Sequence, residues 1–148
     1  MMSLTYKIMK NEDFENCATE LILAFKEEPW NEKWTFEQAY TRIDEIMSAR
    51  VSRGYVIYDG EIVVSMLCGR IMTYLDFKEL WVDEFSVHPD YQRKGIGSSM
   101  LEFVRNQLRE EQINCMVLNT ERGYPSEAFY VKNGFKHGDS LVFMTNDF

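Results

Sequence analysis

The sequence predicts a mixed α/β domain built on one sheet, with elements in the order β-α-α-β-β-β-α-β-α-β-β. Three observations carry that expectation. Two segments before Arg50 repeat apolar residues at the helical period, three strand-like runs follow closely between Gly54 and Val87, and a glycine pair then opens a further periodic helix. At 148 residues the chain has the length of one domain. No repeat, low-complexity tract or Pro/Gly/Ser linker marks a boundary, so residues 1–148 read as a single domain.

Leu4 to Met9 alternates as a short first strand. Asn11 is placed to cap a helix, with Glu12 and Asp13 in its positive first turn. Phe14, Cys17, Ala18, Leu21 and Phe25 share one face and carry that helix to about Lys26. Thr35 and Gln38 have the spacing of a capping box, opening a second helix in which Phe36, Ala39, Tyr40, Ile43, Ile46 and Met47 keep the period to about Arg50. The runs Gly54–Tyr58 and Glu61–Met72 flank Asp59-Gly60, a strong hairpin signal, and Lys78–Val87 completes an antiparallel meander. From Gly95 the chain turns helical again, with Ile96, Met100, Phe103, Val104 and Leu108 on one stripe. Ile113–Leu118 reads as a strand, and Pro125 suits the first turn of a last helix that stops at Asn133-Gly134. Phe135–His137 and Leu141–Thr145 read as two closing strands.

Twenty-four acidic against 16 basic side chains leave a net charge of −8. Such a surface repels nucleic-acid phosphates and anionic membranes and attracts amine-bearing partners. The three cysteines, Cys17, Cys68 and Cys115, are far apart and lack metal or redox spacing, which makes them small buried thiols of a reducing compartment. His88 and His137 show no ligand spacing, so no metal is expected. With no leader-like segment and no apolar run long enough to span a bilayer, a soluble cytoplasmic protein is expected.

The chemistry concentrates in Glu84-Phe85-Ser86-Val87-His88-Pro89-Asp90-Tyr91-Gln92-Arg93-Lys94-Gly95-Ile96-Gly97-Ser98. A strand ends at Val87, a polar loop follows, and Gly95 and Gly97 sit where a helix begins. The first N–H groups of a helix have no intrahelical acceptors and lie at its positive end, so this arrangement is an anion cradle. Arg93 and Lys94 add positive charge to its rim. A nucleotide P-loop would need Lys and Ser/Thr after the glycines, and a dinucleotide fingerprint would need glycine where Met100 stands.

Gln92, Gly95 and Gly97 match the Arg/Gln-x-x-Gly-x-Gly/Ala motif of the GNAT superfamily of acyl-CoA-dependent N-acyltransferases, and Phe129-Tyr130-Val131-Lys132-Asn133-Gly134-Phe135 matches its Phe-Tyr-x-Lys-x-Gly-Phe motif. The element order agrees from end to end, so the chain resembles that superfamily over its whole length. One departure is Gly123, where the family often has a cofactor-contacting Asn; Ser126 stands where Ala or Ser is usual.

The resemblance implies acetyl-CoA as acyl donor, its pyrophosphate on Gln92, Arg93, Lys94, Gly95, Ile96, Gly97 and Ser98 and its pantetheine arm along Phe85, Ser86 and Val87. It also implies a strand bulge around Phe85–Val87 that frees an N–H for the thioester carbonyl. Glu84 stands at a position often held by the family's acid, either accepting the amine's proton or only binding the ammonium or an ion-pair partner. Tyr130 matches the residue that donates to the leaving thiolate, with a packing role as its alternative. Glu28, Trp30 and Trp34 lie between the first two helices, where the family builds its acceptor wall, with tryptophans that pin the loop to the core as the alternative; Tyr74, Asp76 and Asp83 are further candidates for that cleft or else solvated surface. The Pro29-Trp30-Asn31-Glu32-Lys33-Trp34 stretch is similar to some aminoglycoside N-acetyltransferase-like members. The expected activity is therefore acetyl transfer to a small cationic amine such as an aminoglycoside or polyamine, by direct attack in a ternary complex. A protein or peptide amine as acceptor, or a non-catalytic acyl-CoA sensor, are the alternatives. Dimers are common in the family, which makes a homodimer a further expectation.

Overall fold

A strand needs a ladder partner as well as an alternating sequence, and the central meander supplies its own. In a computed structural model, which describes residues 2–148, β1 (Leu4–Ile8), β2 (Ser52–Asp59), β3 (Ile62–Tyr74) and β4 (Phe77–Val87) pair antiparallel in that order. β5 (Met116–Val117) adds parallel to β4 at Leu80 and Trp81. The chain divides into two compact units, Met1–Leu118 and Asn119–Phe148, and the five-stranded sheet lies in the first.

Two helices cover one face of this sheet. α1 (Phe14–Lys26) and α2 (Phe36–Ile46) bury Phe14, Cys17, Ala18, Leu21, Ala39 and Ile43 against Val56, Val63, Met66 and Cys68. On the opposite face lies α3 (Ile96–Glu110), whose buried stripe is Ile96, Met100, Leu101, Val104 and Leu108. Its Phe103 ring meets Tyr55, the β2 neighbour of Val56, edge-on at 6.0 Å. Each fully buried aliphatic side chain contributes about 1.5–3 kcal/mol, so these two stripes hold the layers together.

Helix boundaries follow from side chains that satisfy terminal backbone groups. The capping box of α2 forms as expected, with Gln38 N–H donating to Thr35 Oγ1 (3.1 Å) and Thr35 N–H to Gln38 Oε1 (2.9 Å). α2 ends at Ile46 rather than near Arg50, because the Ser48 hydroxyl donates to the Glu45 carbonyl (2.7 Å) and the Ser52 hydroxyl to that of Ile46 (2.6 Å). Asn11 does not cap α1; it begins a short 3-10 turn, Asn11–Asp13, in which Asp13 takes the tying role. Asp13 accepts the Lys10 N–H (2.8 Å), the Tyr58 hydroxyl (2.7 Å) and the Lys7 ammonium (3.0 Å). Burial pushes its carboxyl up, but these donors more than offset that and leave it below the ordinary range.

Asp59 belongs to the ladder, opposite Ile62, so the β2–β3 turn is Gly60-Glu61 rather than Asp59-Gly60. Between β3 and β4 the register shifts: Cys68 pairs with Glu84 but Gly69 pairs with Val82, leaving Asp83 as an extra residue. The bulge therefore lies at Asp83 and not at Phe85–Val87. It requires glycine at position 69, since a Cβ there would overlap the Trp81 carbonyl oxygen. The expected strand Ile113–Leu118 contracts to β5, whose ladder stops at Trp81, just before β4 bulges.

In the second unit, α4 (Pro125–Lys132) starts on its proline and closes where the Asn133 N–H meets the Phe129 carbonyl at 3.1 Å. The expected strands Phe135–His137 and Leu141–Thr145 do not form among the described residues. Neither segment enters a ladder, and a turn between them joins the Leu141 N–H to the Gly138 carbonyl (3.0 Å). Leu141, Val142, Phe143 and Met144 are exposed. Alternation and apolar content cannot make a strand without a paired edge.

Gly69→Ala is expected to lower stability in urea unfolding by at least about 2 kcal/mol, because backbone must move to admit the methyl group. Gly138→Ala, where the added Cβ meets only Leu141 at 3.5 Å, is the control and should stay near wild type. An unchanged midpoint for Gly69→Ala contradicts the close approach.

Candidate active site

The cradle is built from the residues that end β4 and begin α3. β4 terminates where the His88 N–H donates to the Val64 carbonyl (2.8 Å). A 3-10 turn, Pro89–Tyr91, follows, with the His88 ring nitrogen Nδ1 accepting the Asp90 N–H (3.1 Å). Gln92 returns its side-chain amide to the Val87 carbonyl (3.2 Å), closing the loop on the strand it left. Arg93 (φ 61°) and Gly95 (φ 78°) are both left-handed, which turns the chain sharply into Ile96. Tyr91 is tied down by its hydroxyl on Asp59 Oδ2 (2.6 Å), while the Ser3 N–H holds the other oxygen (2.9 Å).

These constraints suit an anion. No acidic residue occupies the first turn of α3, and the space beside Gly95 is open, since a Cβ there would meet nothing within 4 Å. Arg93 and Lys94 precede the helix, the Lys94 ammonium lying 5.5 Å from the centre of the Tyr91 ring. The geometry thus fits a diphosphate on the amides at the start of α3.

The bulge at Asp83 sets the second part of the site. An unbulged β4 would pair Asp83 with Cys68; the extra residue gives that place to Glu84 and turns it toward α1 and α2. There Arg42 of α2 donates through Nε to Glu84 Oε1 (3.1 Å) and through Nη2 to the Asp83 carbonyl (3.4 Å). Burial pushes the Glu84 carboxyl up, Arg42 pulls it partly back, and the net position is above the ordinary carboxylate range. Arg42 also lines an open groove of about 790 Å³ with Glu32, Trp34, Glu37, Gln38 and Glu45.

The acceptor-wall candidates divide. Trp34 lines the groove, with its indole N–H on Glu32 Oε1 (2.8 Å). Trp30 packs edge-on against Phe25 at 5.4 Å, and neither it nor Glu28 borders the groove. Asp83 spends its carboxylate on Arg70 (2.8 and 3.0 Å). Tyr74 and Asp76 sit at the β3–β4 turn, where Tyr74 pairs with Phe77. That is six β3 positions from the partner of Glu84, about 20 Å, so Tyr74 does not share its cleft.

In the second unit the Tyr130 ring lies 5.4 Å from Phe129 and 5.2 Å from Phe135, and its carbonyl accepts the Phe135 N–H (3.0 Å). Ser126 Oγ is 2.7 Å from Thr120 Oγ1, and the Gly123 N–H donates to Glu127 (2.8 Å), which also meets His137 at 2.8 Å. Sequence reasoning missed Arg42 and Asp59. Both act through partners more than 30 positions away, and no local spacing marks them. Among the described residues no group of His, Cys, Asp and Glu side chains is placed to hold a metal ion, and no helix is long and apolar enough to cross a membrane.

The family model described as Acetyltransferase (GNAT) family matches residues 16–135. A possible acetyltransferase from Clostridium difficile 630 superposes with a TM-score of 0.81 at 16% identity, covering 100% of this chain and 99% of that one. AAC(6')-Iy, solved with the bisubstrate analog CoA-S-monomethyl-acetylneamine, gives a TM-score of 0.75 at 12% identity over 98% and 99% of the two chains. A ribosomal-protein-alanine N-acetyltransferase from Brucella melitensis biovar Abortus 2308 gives 0.73 at 15% identity, again over 98% and 99%. No curated protein sequence matches. At these identities the structural likeness establishes the fold, and the matched family model extends over most of the sequence. The chain belongs to the GNAT family of acetyltransferases.

Proposed function

We propose that this protein transfers an acetyl group from acetyl-CoA to the amine of a small cationic molecule, of the aminoglycoside or polyamine kind. The observation that carries the reading is Glu84: a carboxyl sunk beneath α2, raised above the ordinary range, and joined through Arg42 to a groove containing Glu32, Glu37, Glu45 and Trp34. Three carboxylates and an indole face suit a cation. The similarity to AAC(6')-Iy supports the same class of acceptor.

Acetyl-CoA, when bound, supplies the activated thioester. The amides of Gly95 to Ser98, with Arg93 and Lys94, hold its diphosphate, and the β4 backbone from Phe85 to Val87 takes its pantetheine amides as an added strand would. An alkyl ammonium has a pKa near ~10 and must lose a proton before it attacks. Glu84 accepts that proton, directly or through water, and its raised pKa brings it nearer the working pH. The bulge at Asp83 interrupts the β3–β4 ladder, and a backbone N–H released there would polarise the thioester C=O. Tyr130, assigned by its place in the second motif, returns a proton to the departing thiolate. Burial pushes the Cys17 and Cys68 thiols far up, which leaves them poor acyl carriers and supports direct attack. Three free thiols fit a reducing, cytoplasmic compartment.

Thiol release measured with kanamycin, spermidine, and peptides bearing a free N-terminus or lysine tests the reading. Turnover on the polycations is expected. Turnover on peptides alone makes it a protein acetyltransferase, and tight acetyl-CoA binding without turnover makes it a sensor. Tyr130→Phe should lower kcat about a hundredfold with little change in acetyl-CoA affinity, and an unchanged kcat removes the proton-donor role. Arg42→Ala removes the cation that holds the Glu84 pKa down. Because Glu84 must be ionised to act, the acid limb of the kcat/KM profile should move to higher pH, and a limb that stays or moves down contradicts the pairing.

A further inference from the structure

Helix residues that face a sheet are ordinarily apolar, and α1 breaks that rule at Glu20. Between Cys17 and Leu21 on the buried side of the helix, Glu20 is 1% exposed. Its two carboxyl oxygens lie 2.9 and 2.5 Å from the Ser86 hydroxyl of β4. The Ser86 carbonyl in turn accepts the Ser65 hydroxyl of β3 (2.8 Å). The hydroxyl and the carbonyl of Ser86 are thereby held, one from above the sheet and one from the next strand. Ser86 follows Glu84 by two residues and points to the same face, its ladder partner being Met66 as that of Glu84 is Cys68.

We infer that Glu20 is a positioning residue for the active-site segment of β4, fixing Glu84 to Val87 through Ser86. The inference rests on the reading of Glu84 as proton acceptor. Its physical need comes from the bulge. One residue before Glu84 the β3–β4 ladder is interrupted at Asp83, and the parallel ladder with β5 has already ended at Trp81. From Glu84 to Val87 β4 is laddered to β3 alone, its β5 edge is unpaired among the described residues, and that one ladder has just been interrupted at the bulge. A further tether therefore helps to keep a carboxyl and a set of backbone amides in reacting geometry.

Stability alone does not explain Glu20. An apolar side chain of similar volume in so buried a place is commonly as stabilising or more so. The titratable groups around it are Cys17 on its own helix, Cys68 on β3 and Glu84 on β4, and Arg42 of α2 is engaged by Glu84. None of these offers Glu20 a cation. Burial accordingly pushes its carboxyl up to about 8, so it holds Ser86 without setting a second negative charge beside Glu84 at neutral pH.

The test compares Glu20→Leu, Glu20→Gln and Ser86→Ala in the whole chain. Amide exchange of residues 84–87 is followed by NMR, with Tm by calorimetry, and kcat and KM with acetyl-CoA and spermidine. Glu20→Leu should keep or raise Tm, speed exchange at 84–87 about tenfold, and lower kcat about tenfold with KM for acetyl-CoA unchanged. Glu20→Gln keeps an acceptor for Ser86 and should restore both exchange and kcat. Wild-type exchange in Glu20→Leu, or equal loss in the Leu and Gln variants, overturns the inference. Should Glu20→Leu fail to fold, Ser86→Ala decides alone: faster exchange at 84–87 supports the tether, and unchanged exchange overturns it. Glu84→Gln separates the two readings, because wild-type turnover there removes Glu84 as proton acceptor while the exchange results still judge Glu20.

Discussion

The face on which Glu84 lies depends on a single extra residue in β4. Side chains alternate along a strand, so inserting Asp83 opposite the Cys68–Gly69 step inverts the parity of everything after it. Were Asp83 held in register opposite Cys68, Glu84 would fall opposite Leu67 and look toward α3, away from the groove. The insertion is possible because Gly69 leaves room for the Trp81 carbonyl. Arg42 and Glu20 then meet the chain at Glu84 and Ser86, where that parity has changed. The proposed chemistry is thus a consequence of strand register before it is a matter of which residues carry acid groups.

The environment of Glu84 balances opposed effects. Desolvation beneath the helices favours the protonated form, and the Arg42 guanidinium favours the ionised one. The balance leaves a carboxyl above its ordinary range, nearer the pH at which it would exchange protons with an amine. A few residues along, the same strand delivers the chain into the cradle, whose approach is set by the Tyr91–Asp59 contact and the left-handed pair Arg93 and Gly95. In the proposed reading, main-chain donors beyond the end of β4 and the Glu84 carboxyl three residues before that end act together within the first unit.

Much of this was legible from spacing. The meander, the Thr35–Gln38 box, the start of α3 after Gly95 and the extent of α4 were readable because each depends on local chemistry: turn residues, caps and short periods. Both family motifs were readable for the same reason. What escaped depends on distant partners. Asn11 has a capping residue's place in the sequence, but the side chain that ties this turn is Asp13, held by the Lys10 N–H, Tyr58 and Lys7. The bulge was expected around Phe85–Val87, and its true place is marked by Gly69, on another strand. Tyr74 and Asp83 looked available to an acceptor until register put one at the hairpin end and paired the other with Arg70. The expected closing strands had the right residues and no ladder.

In the proposed reaction, main-chain donors at the start of α3 and the bulged half of β4 together hold acetyl-CoA with its thioester beside Glu84. A crystal structure of the protein grown with acetyl-CoA tests it most directly. The diphosphate is expected on the amides of Gly95 to Ser98, the pantetheine alongside Phe85 to Val87, and the acetyl carbonyl within hydrogen-bond reach of a β4 amide next to Asp83. A coenzyme seated elsewhere, or one whose acetyl group lies on the α3 face of the sheet, would contradict it.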